Sequence, residues 1–288
     1  MAWLISQSEV DAFLSCRRKH YYGYGEKLQP KRHGEGLTRG LLGHEVLAAY
    51  YAQFVAAGKA LPSQVQVVNS ALEVINRNAT VDLSNIELLL QLRSLLEQYF
   101  HFYEDEFSQW EILAVEKEFR YGDFPFKPDL IKRHRYNGQV YVVDHKFLYN
   151  FYNPSMVDIM PQLPKYVGAL REIGFPVTGA EYNMLRHRLN AKEKFKRLRV
   201  EFTDRKIETF LTEQQIIAEK IRELKDGSLE EWKEKSVRTA SSFNCQHCSF
   251  LSLCTTDING YAGRDLLIRS MYEPNTYGYT DDIEGELV

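Results

Sequence analysis

Lys127-Pro128-Asp129-Leu130-Ile131, then Asn137-Gly138, then Asp144-His145-Lys146: this stretch decides how the chain is read. Asn-Gly between two apolar runs is a strong hairpin signal, because both central positions of a tight two-residue turn need positive φ. A turn at 137 and 138 pairs residues whose numbers sum to 275, as those two do. Lys146 then lies opposite Asp129, and Asp144 opposite Ile131. Residues 144 and 146 share a face by the strand period of two, and Asp144 becomes the diagonal neighbour of Asp129. Two carboxylates and one amine are thus expected on one patch of sheet.

Such a patch suits a hard divalent ion, which takes oxygen ligands at ~2.0–2.1 Å and keeps several waters. Asp129 and Asp144 supply those oxygens, with the backbone carbonyl of His145 as a further ligand. The ion polarises a phosphate and acidifies a water, and Lys146 orients that water and offsets charge in the transition state. The plain alternative is an exposed hairpin with an Asp–Lys pair, worth ~0–1 kcal/mol.

Working outward, Ile112 to Tyr121, Phe126 to Arg133 and Gln139 to Phe147 read as strands. A helix is predicted from Pro161 to Arg171, since its prolines at 161 and 164 fit a first turn. Strands follow at 180–189 and 198–202, and a long helix at 204–224. Upstream, Ser6-Gln7-Ser8-Glu9 has capping-box spacing and opens a helix that carries Cys16 beside Arg17, Arg18 and Lys19. A glycine-rich joint (Gly34, Gly36, Gly40, Gly43) leads to a second helix bearing His44 and Glu45. Residues 65–107 read as helical, with Leu88, Leu89, Leu92, Leu95, Leu96, Tyr99 and Tyr103 as the apolar face. Glu116 and Glu118 are candidates for an auxiliary role, with a structural or solvated reading favoured for both. There is no internal repeat.

With 288 residues, 44% of them hydrophobic, the chain has enough apolar surface for a large core. No run approaches the ~20 apolar residues that span a bilayer, and the N-terminus lacks a signal-peptide pattern. A soluble, intracellular protein is expected, cytoplasmic in a prokaryote or phage-infected host. The net charge of −3 hides an uneven distribution. Arg186, Arg188, Lys192, Lys194, Lys196, Arg197 and Arg199 stand against Glu193 alone, while Glu273 to Val288 is acidic and free of Lys and Arg. The basic stretch is either a nucleic-acid contact or a solvated loop. Lys132, Arg133 and Arg135, at the expected hairpin tip, are further candidates for phosphate contact. Tyr21, Tyr22, Tyr182 and Phe195 are candidates for stacking on bases. No G-x-x-x-x-G-K-[ST] phosphate loop is present, so unwinding would come from a partner.

All four cysteines fall into one pattern, Cys16…Cys245-x2-Cys248-x5-Cys254. In a reducing compartment a metal site is the better reading than two disulfides. Zinc and an iron–sulfur cluster both accept four thiolates, and spacing does not choose between them. Either would pin the first helix to the C-terminal segment.

Pro128-Asp129…Asp144-His145-Lys146 resembles the PD-(D/E)XK nuclease motif, with Asp in place of the commoner Glu. Gly43-His44 resembles the upstream histidine of the RecB-like branch, and Gln162-x-x-x-Tyr166 its Q-x-x-x-Y motif. The cysteine pattern resembles that of AddB-type and CRISPR-associated RecB-like exonucleases. The resemblance covers roughly residues 6–256. It implies an α/β fold with a restriction-endonuclease-like core, a central mixed sheet flanked by helices. It also implies Mg²⁺ or Mn²⁺ held by His44, Asp129 and Asp144, Lys146 as the catalytic lysine, and a [4Fe–4S] cluster at the cysteines, with Zn²⁺ as the alternative. Gln162 and Tyr166, four apart on one helix face, would position DNA, with Arg17, Arg18, Lys132 and Arg133 as further contacts. The activity implied is exonuclease cleavage of single-stranded DNA or duplex ends, 5′→3′ in most stand-alone relatives. Its settings are recombination, repair, phage DNA metabolism or CRISPR adaptation, with a helicase, recombination or spacer-acquisition protein as partner. The rival reading is a non-catalytic DNA-binding or assembly factor on the same scaffold; a zinc-stapled structural protein fits the cysteines alone. One nuclease domain is expected over 1–265, helical over 1–110, catalytic over 111–203 and cysteine-bearing over 204–265. An acidic tail is expected over 266–288.

Overall fold

Alternating and continuous apolar runs build a five-stranded mixed sheet: β1 (Trp110–Val115), β2 (Leu130–His134), β3 (Val140–Leu148), β4 (Gly179–Arg186) and β5 (Phe195–Val200). They lie side by side in that order, every neighbouring pair antiparallel except β3 and β4. β1 alternates buried and half-buried residues, the mark of a strand with one covered face. β3 is central and buried through its first six residues, as a strand covered on both faces should be. The parallel β3–β4 pair needs a crossover, and helix Gln162–Glu172 supplies it. The protein is described here from a computed structural model over residues 3–32, 34–56, 63–81 and 85–275. Among these residues no helix is long and apolar enough to cross a membrane.

The chain forms two compact units. One comprises Gly34–Phe119 and Lys127–Phe210 and contains the sheet. Its core joins three helices, α1 (Glu35–Ala56), α2 (Gln64–Val81) and α3 (Ile86–Phe102), to sheet residues Ile112, Leu130, Val143 and Leu185. α3 buries Leu88, Leu89, Leu92, Leu95, Leu96, Tyr99 and Phe100, each large side chain contributing ~1.5–3 kcal/mol of transfer free energy. The stretch read as helical over 65–107 carries α2, α3 and a short helix at Glu106–Gln109, with a turn at 103–105 between the last two.

The other unit comprises Met1–His33, Arg120–Phe126 and Leu211–Val288. Its core gathers Ile5, Phe13, Tyr22, Ile221, Trp232, Phe250 and Leu253. Strand Leu28–Pro30 pairs antiparallel with Tyr272–Pro274. Arg264–Met271 is helical and Tyr272–Pro274 is a strand, so regular structure reaches into the first part of the stretch read as an acidic tail. Residues 276–288 lie outside those described.

Three local readings also change. Cys16 does not ride on the first helix; it ends Gln7–Ser15 in extended backbone before a second short helix starts at Arg17. Ser6 accepts from the Glu9 N–H, but the Glu9 carboxylate binds His20 and Lys225, so the capping box is only half made. The glycine joint is helix, because α1 begins at Glu35. A Cβ at Gly36 or Gly40 would meet nothing within 4 Å, whereas one at Gly43 would lie 2.2 Å from Phe147 Cζ. Gly43 is therefore what lets α1 lie against β3.

Candidate active site

The hairpin register differs from expectation by two residues. Leu130 faces Val143 and Lys132 faces Tyr141, so the numbers sum to 273. The cause is the turn. Gly138 has φ +72° but Asn137 is not in the left-handed region, so the two-residue turn does not form. The His134 N–H donates to Gln139 O across the loop, the Gly138 N–H to His134 O, and the Asn137 side chain accepts from the Gln139 N–H. An even shift keeps every side chain on its face. It also places Asp129 directly opposite Asp144, rather than diagonal to it, one step beyond the Leu130–Val143 pair.

On the other flank Val115 faces Leu130, and the Glu116 N–H donates to Asp129 O at 3.1 Å. Glu116, Asp129 and Asp144 therefore form a row across three adjacent strands. One ligand atom from each of His44, Glu116 and Asp129 lies within 4.8 Å of the other two. From sequence Glu116 is a candidate for an auxiliary role, with a structural or solvated reading favoured; its place was hidden in the register of strands that are distant in sequence. Its φ of +46° is costly for a residue with a Cβ, and such strain clusters at functional sites. Lys127 Nζ reaches its carboxylate at 2.8 Å.

Asp129 Oδ2 lies 3.3 Å from His44 Nδ1 and accepts from the His145 N–H at 2.6 Å. Burial works to raise the Asp129 pKa, but His44 and the His145 amide together hold it well below the usual carboxylate range. Burial works to lower the His44 pKa, and Asp129 more than offsets it. Asp144 is 3% exposed, and burial, reinforced by Asp129, pushes it up to about 6 against the pull of Lys146. Lys146 Nζ donates to Asp144 Oδ1 at 2.8 Å and to Gln162 Oε1 at 3.2 Å. Its own pKa rises: burial opposes the charge, but Asp144 outweighs burial. Asp144 Oδ2 is buried with no hydrogen-bond partner. Buried carboxylate oxygens are rarely left so, and the register sets Asp144 opposite Asp129 of the His44–Glu116–Asp129 group. Three carboxylates, one of them with an unsatisfied oxygen, and one imidazole fit a hard divalent ion.

Gln162 Nε2 donates to Tyr166 OH at 3.3 Å, so both residues are drawn to Lys146. The His145 side chain takes the opposite face of β3. Its Nδ1 accepts from Asn183 Nδ2 at 2.7 Å, its ring stacks on Tyr51, and burial lowers its pKa to about 3.

Other candidates lie elsewhere. Lys132 is not at an exposed tip: it is 0% exposed, with Nζ 3.0 Å from Glu106 and 2.7 Å from Glu181. Even positions of β2 face a buried polar network that also holds Arg197, Tyr99 and Asn183. Phosphate contact by Lys132 is ruled out by that burial. Arg133 is half exposed and pairs with Glu111 across the strands. Arg17 and Arg18 belong to the other unit, where Arg17 is exposed and Arg18 buried. Tyr21, Tyr22, Tyr182 and Phe195 are all buried in the core and offer no face to a base.

The four cysteines are not clustered: among the described residues no three of their sulfurs lie within 4.8 Å of one another. Zinc at ~2.3 Å from each sulfur would need them ~3.8 Å apart.

No curated protein matches the chain. A solved chain described as "Crystal structure of SSO0001" is similar at 12% identity, with 73% of this chain and 84% of that chain covered and a TM-score of 0.32. Residues 4–255 match the family described as the PD-(D/E)XK nuclease superfamily, most of the chain and the whole carboxylate row included. The chain belongs to the PD-(D/E)XK nuclease superfamily.

Proposed function

We propose that the protein is a divalent-metal-dependent DNA exonuclease acting on single strands or duplex ends, with Asp129, Asp144 and Lys146 at its centre. The observation that carries this reading is the His44–Glu116–Asp129 group together with Asp144, whose Oδ2 is buried and unpartnered and which the hairpin register sets opposite Asp129. Mg²⁺ or Mn²⁺, when bound, supplies Lewis-acid charge stabilisation at a phosphoryl oxygen. His44, Asp129 and Asp144 would hold it, with the His145 carbonyl and Glu116 completing the donor set. The remaining chemistry belongs to the chain. The His145 amide and His44 keep Asp129 ionised and oriented. Lys146, held cationic by Asp144, acts as a hydrogen-bond donor to the attacking water or to the phosphate rather than as a proton acceptor. Gln162, half-buried, fixes the Lys146 ammonium and can offer its amide to the strand, while Tyr166, 6% exposed, acts by holding Gln162.

The test is cleavage of end-labelled single- and double-stranded DNA with Mn²⁺, beside Asp144→Ala. Cleavage by the wild type and loss by ~10²-fold or more in the variant is expected. No metal-dependent cleavage by the wild type removes the reading, and undiminished cleavage by the variant moves the centre elsewhere. Products shortened one end at a time distinguish exonuclease from internal cutting.

A four-cysteine [4Fe–4S] cluster belongs to the same proposal. Its support is that all four cysteines lie in one unit and that two sulfurs already accept N–H donors, Cys254 from Arg238 and Cys16 from the Thr239 amide. Burial raises the Cys248 pKa, and Cys16 and Cys254 add to it, which places these thiols in one another's field. The wide sulfur spacing counts first against Zn²⁺, which needs a tighter tetrahedron than a cluster does. Anaerobically purified protein should absorb in the visible and contain iron, and Cys248→Ala should lose both. Colourless, iron-free protein of full cleavage activity would remove the cluster.

A further inference from the structure

Arg39 lies on α1, five residues before His44, and is 9% exposed with its Nε unpartnered. Together with Gln98, Arg186, His187, Arg188 and Lys194 it lines a cavity of about 290 Å³. No Asp or Glu is among the described residues lining it. The Glu193 carboxylate, 4.0 Å from Arg186, points outward at 64% exposure. Arg186 spends Nε and Nη2 on the Glu193 carbonyl and lies over Phe151, while Lys194 Nζ donates to Gln98. The His187 pKa is lowered by burial and then by the Arg39 charge. A buried guanidinium is ordinarily paired. Its planar fork of donors matches phosphate oxygens, and the charged side chains of this wall, Arg39, Arg186, Arg188 and Lys194, are all basic, the rest being neutral residues such as Leu92, Leu95 and Leu189.

We propose that this cavity is a phosphate-binding subsite in which Arg39 receives a phosphate group of the nucleic-acid strand. It rests on the DNA reading above and extends it. Arg39 and His44 share α1 but are five residues apart, so the phosphate received is a different one from that at the carboxylate row. It is either an internal phosphodiester or the phosphate monoester of a strand end. The basic run at 186–199 accordingly divides in two. Arg186, Arg188 and Lys194 face this cavity, while Arg197 is consumed by Glu106 in the buried network.

Fluorescence anisotropy of the full chain in EDTA tests it, using short single strands with 5′-phosphate, 3′-phosphate or hydroxyl ends. Arg39→Gln should weaken binding by ~10-fold or more and lower the slope of log affinity against log salt by about one. An equal loss on all strands assigns the internal phosphodiester, and a loss confined to one phosphorylated end assigns the monoester. Unchanged affinity and slope in folded Arg39→Gln overturns the proposal, as does failure of the wild type to bind any strand. Should Arg39→Gln not fold, Arg188→Ala with Lys194→Gln decides by the same criterion, since Arg188 is exposed and Lys194 half-buried. Wild-type cleavage with Mn²⁺ separates this result from the wider reading. Arg39-dependent binding without cleavage removes only the scission. Cleavage with Arg39-independent binding removes only the subsite.

Discussion

Three glycines on one helix give a controlled measurement of what places His44. Gly36, Gly40 and Gly43 all lie in α1, and each becomes a better helix former as Ala, by ~0.8–1.0 kcal/mol at an interior position. At Gly36 and Gly40 the added methyl meets open space, so Gly40→Ala should stabilise the protein by about 0.5–1 kcal/mol. At Gly43 the methyl would lie 2.2, 2.4 and 2.6 Å from Cζ, Cε2 and Cε1 of Phe147. Either the ring swings away or α1 retreats from β3 by more than an ångström. Overpacking of this kind costs ~1–3 kcal/mol, so Gly43→Ala should fall below Gly40→Ala by about that amount. His44 is the next residue and would be carried off Asp129, now 3.3 Å away. Mn²⁺ affinity should therefore drop in Gly43→Ala and not in Gly40→Ala. Urea unfolding of both variants, with Mn²⁺ calorimetry, measures the two effects. Adding Phe147→Leu should restore part of the loss, with a coupling of ~0.5–3 kcal/mol between the sites. Equal stability and equal Mn²⁺ affinity for Gly43→Ala and Gly40→Ala would refute the reasoning that Gly43 sets the helix against the strand.

In the metal-free protein Asp144 holds its proton to about pH 6, against an ordinary aspartate near 3.8 when unfolded. Between those values the folded state binds more protons, so stability should fall as pH rises, while Asp129 titrates below the window. Mn²⁺ takes the proton's place, so the Mn²⁺-induced rise in Tm should grow from pH 5 to pH 7; a pH-independent rise would place the ion away from Asp144. Lys132→Met should cost ~3–5 kcal/mol in chemical denaturation, because Glu106 and Glu181 lose a buried cation. Arg133→Ala, one residue on and half exposed, should stay within ~1 kcal/mol; comparable losses would contradict the buried network.

Periodicity carried much of the fold. The strands around 112, 130, 140 and 180 and the helix after Pro161 were all legible, and the shared face of Asp129, Asp144 and Lys146 survived a register error of two because side chains alternate with period two. What failed was non-local. Nothing in the local sequence sets Val115 against Leu130, so Glu116 could not be placed beside Asp129. Lys132 looked like a tip residue because lysine is seldom buried, yet two acids from distant segments, Glu106 and Glu181, wait for it. Glycines read as a joint by the usual rule of helix breaking, whereas three helices packed on the sheet override that propensity. The cysteine spacing matched a pattern, but whether the sulfurs meet depends on contacts between the two ends of the chain.

The carboxylate row also explains why this part of the sheet needs so many neighbours. Like charges directly opposite one another on adjacent strands are destabilising, and here three acids stand in line. Each has its own cation: Lys127 for Glu116, His44 for Asp129 and Lys146 for Asp144. The compensation is uneven. Asp129 is held ionised, but burial leaves the pKa of Glu116 and of Asp144 raised, and Asp144 Oδ2 has no donor at all. A scaffold selected for stability alone would replace such a group with apolar side chains, since breaking even with buried charge is difficult. Retaining it makes sense where positive charge arrives from outside. A divalent cation answers the unsatisfied oxygen and the raised carboxyl groups together, so stability forgone in the metal-free protein returns as metal affinity.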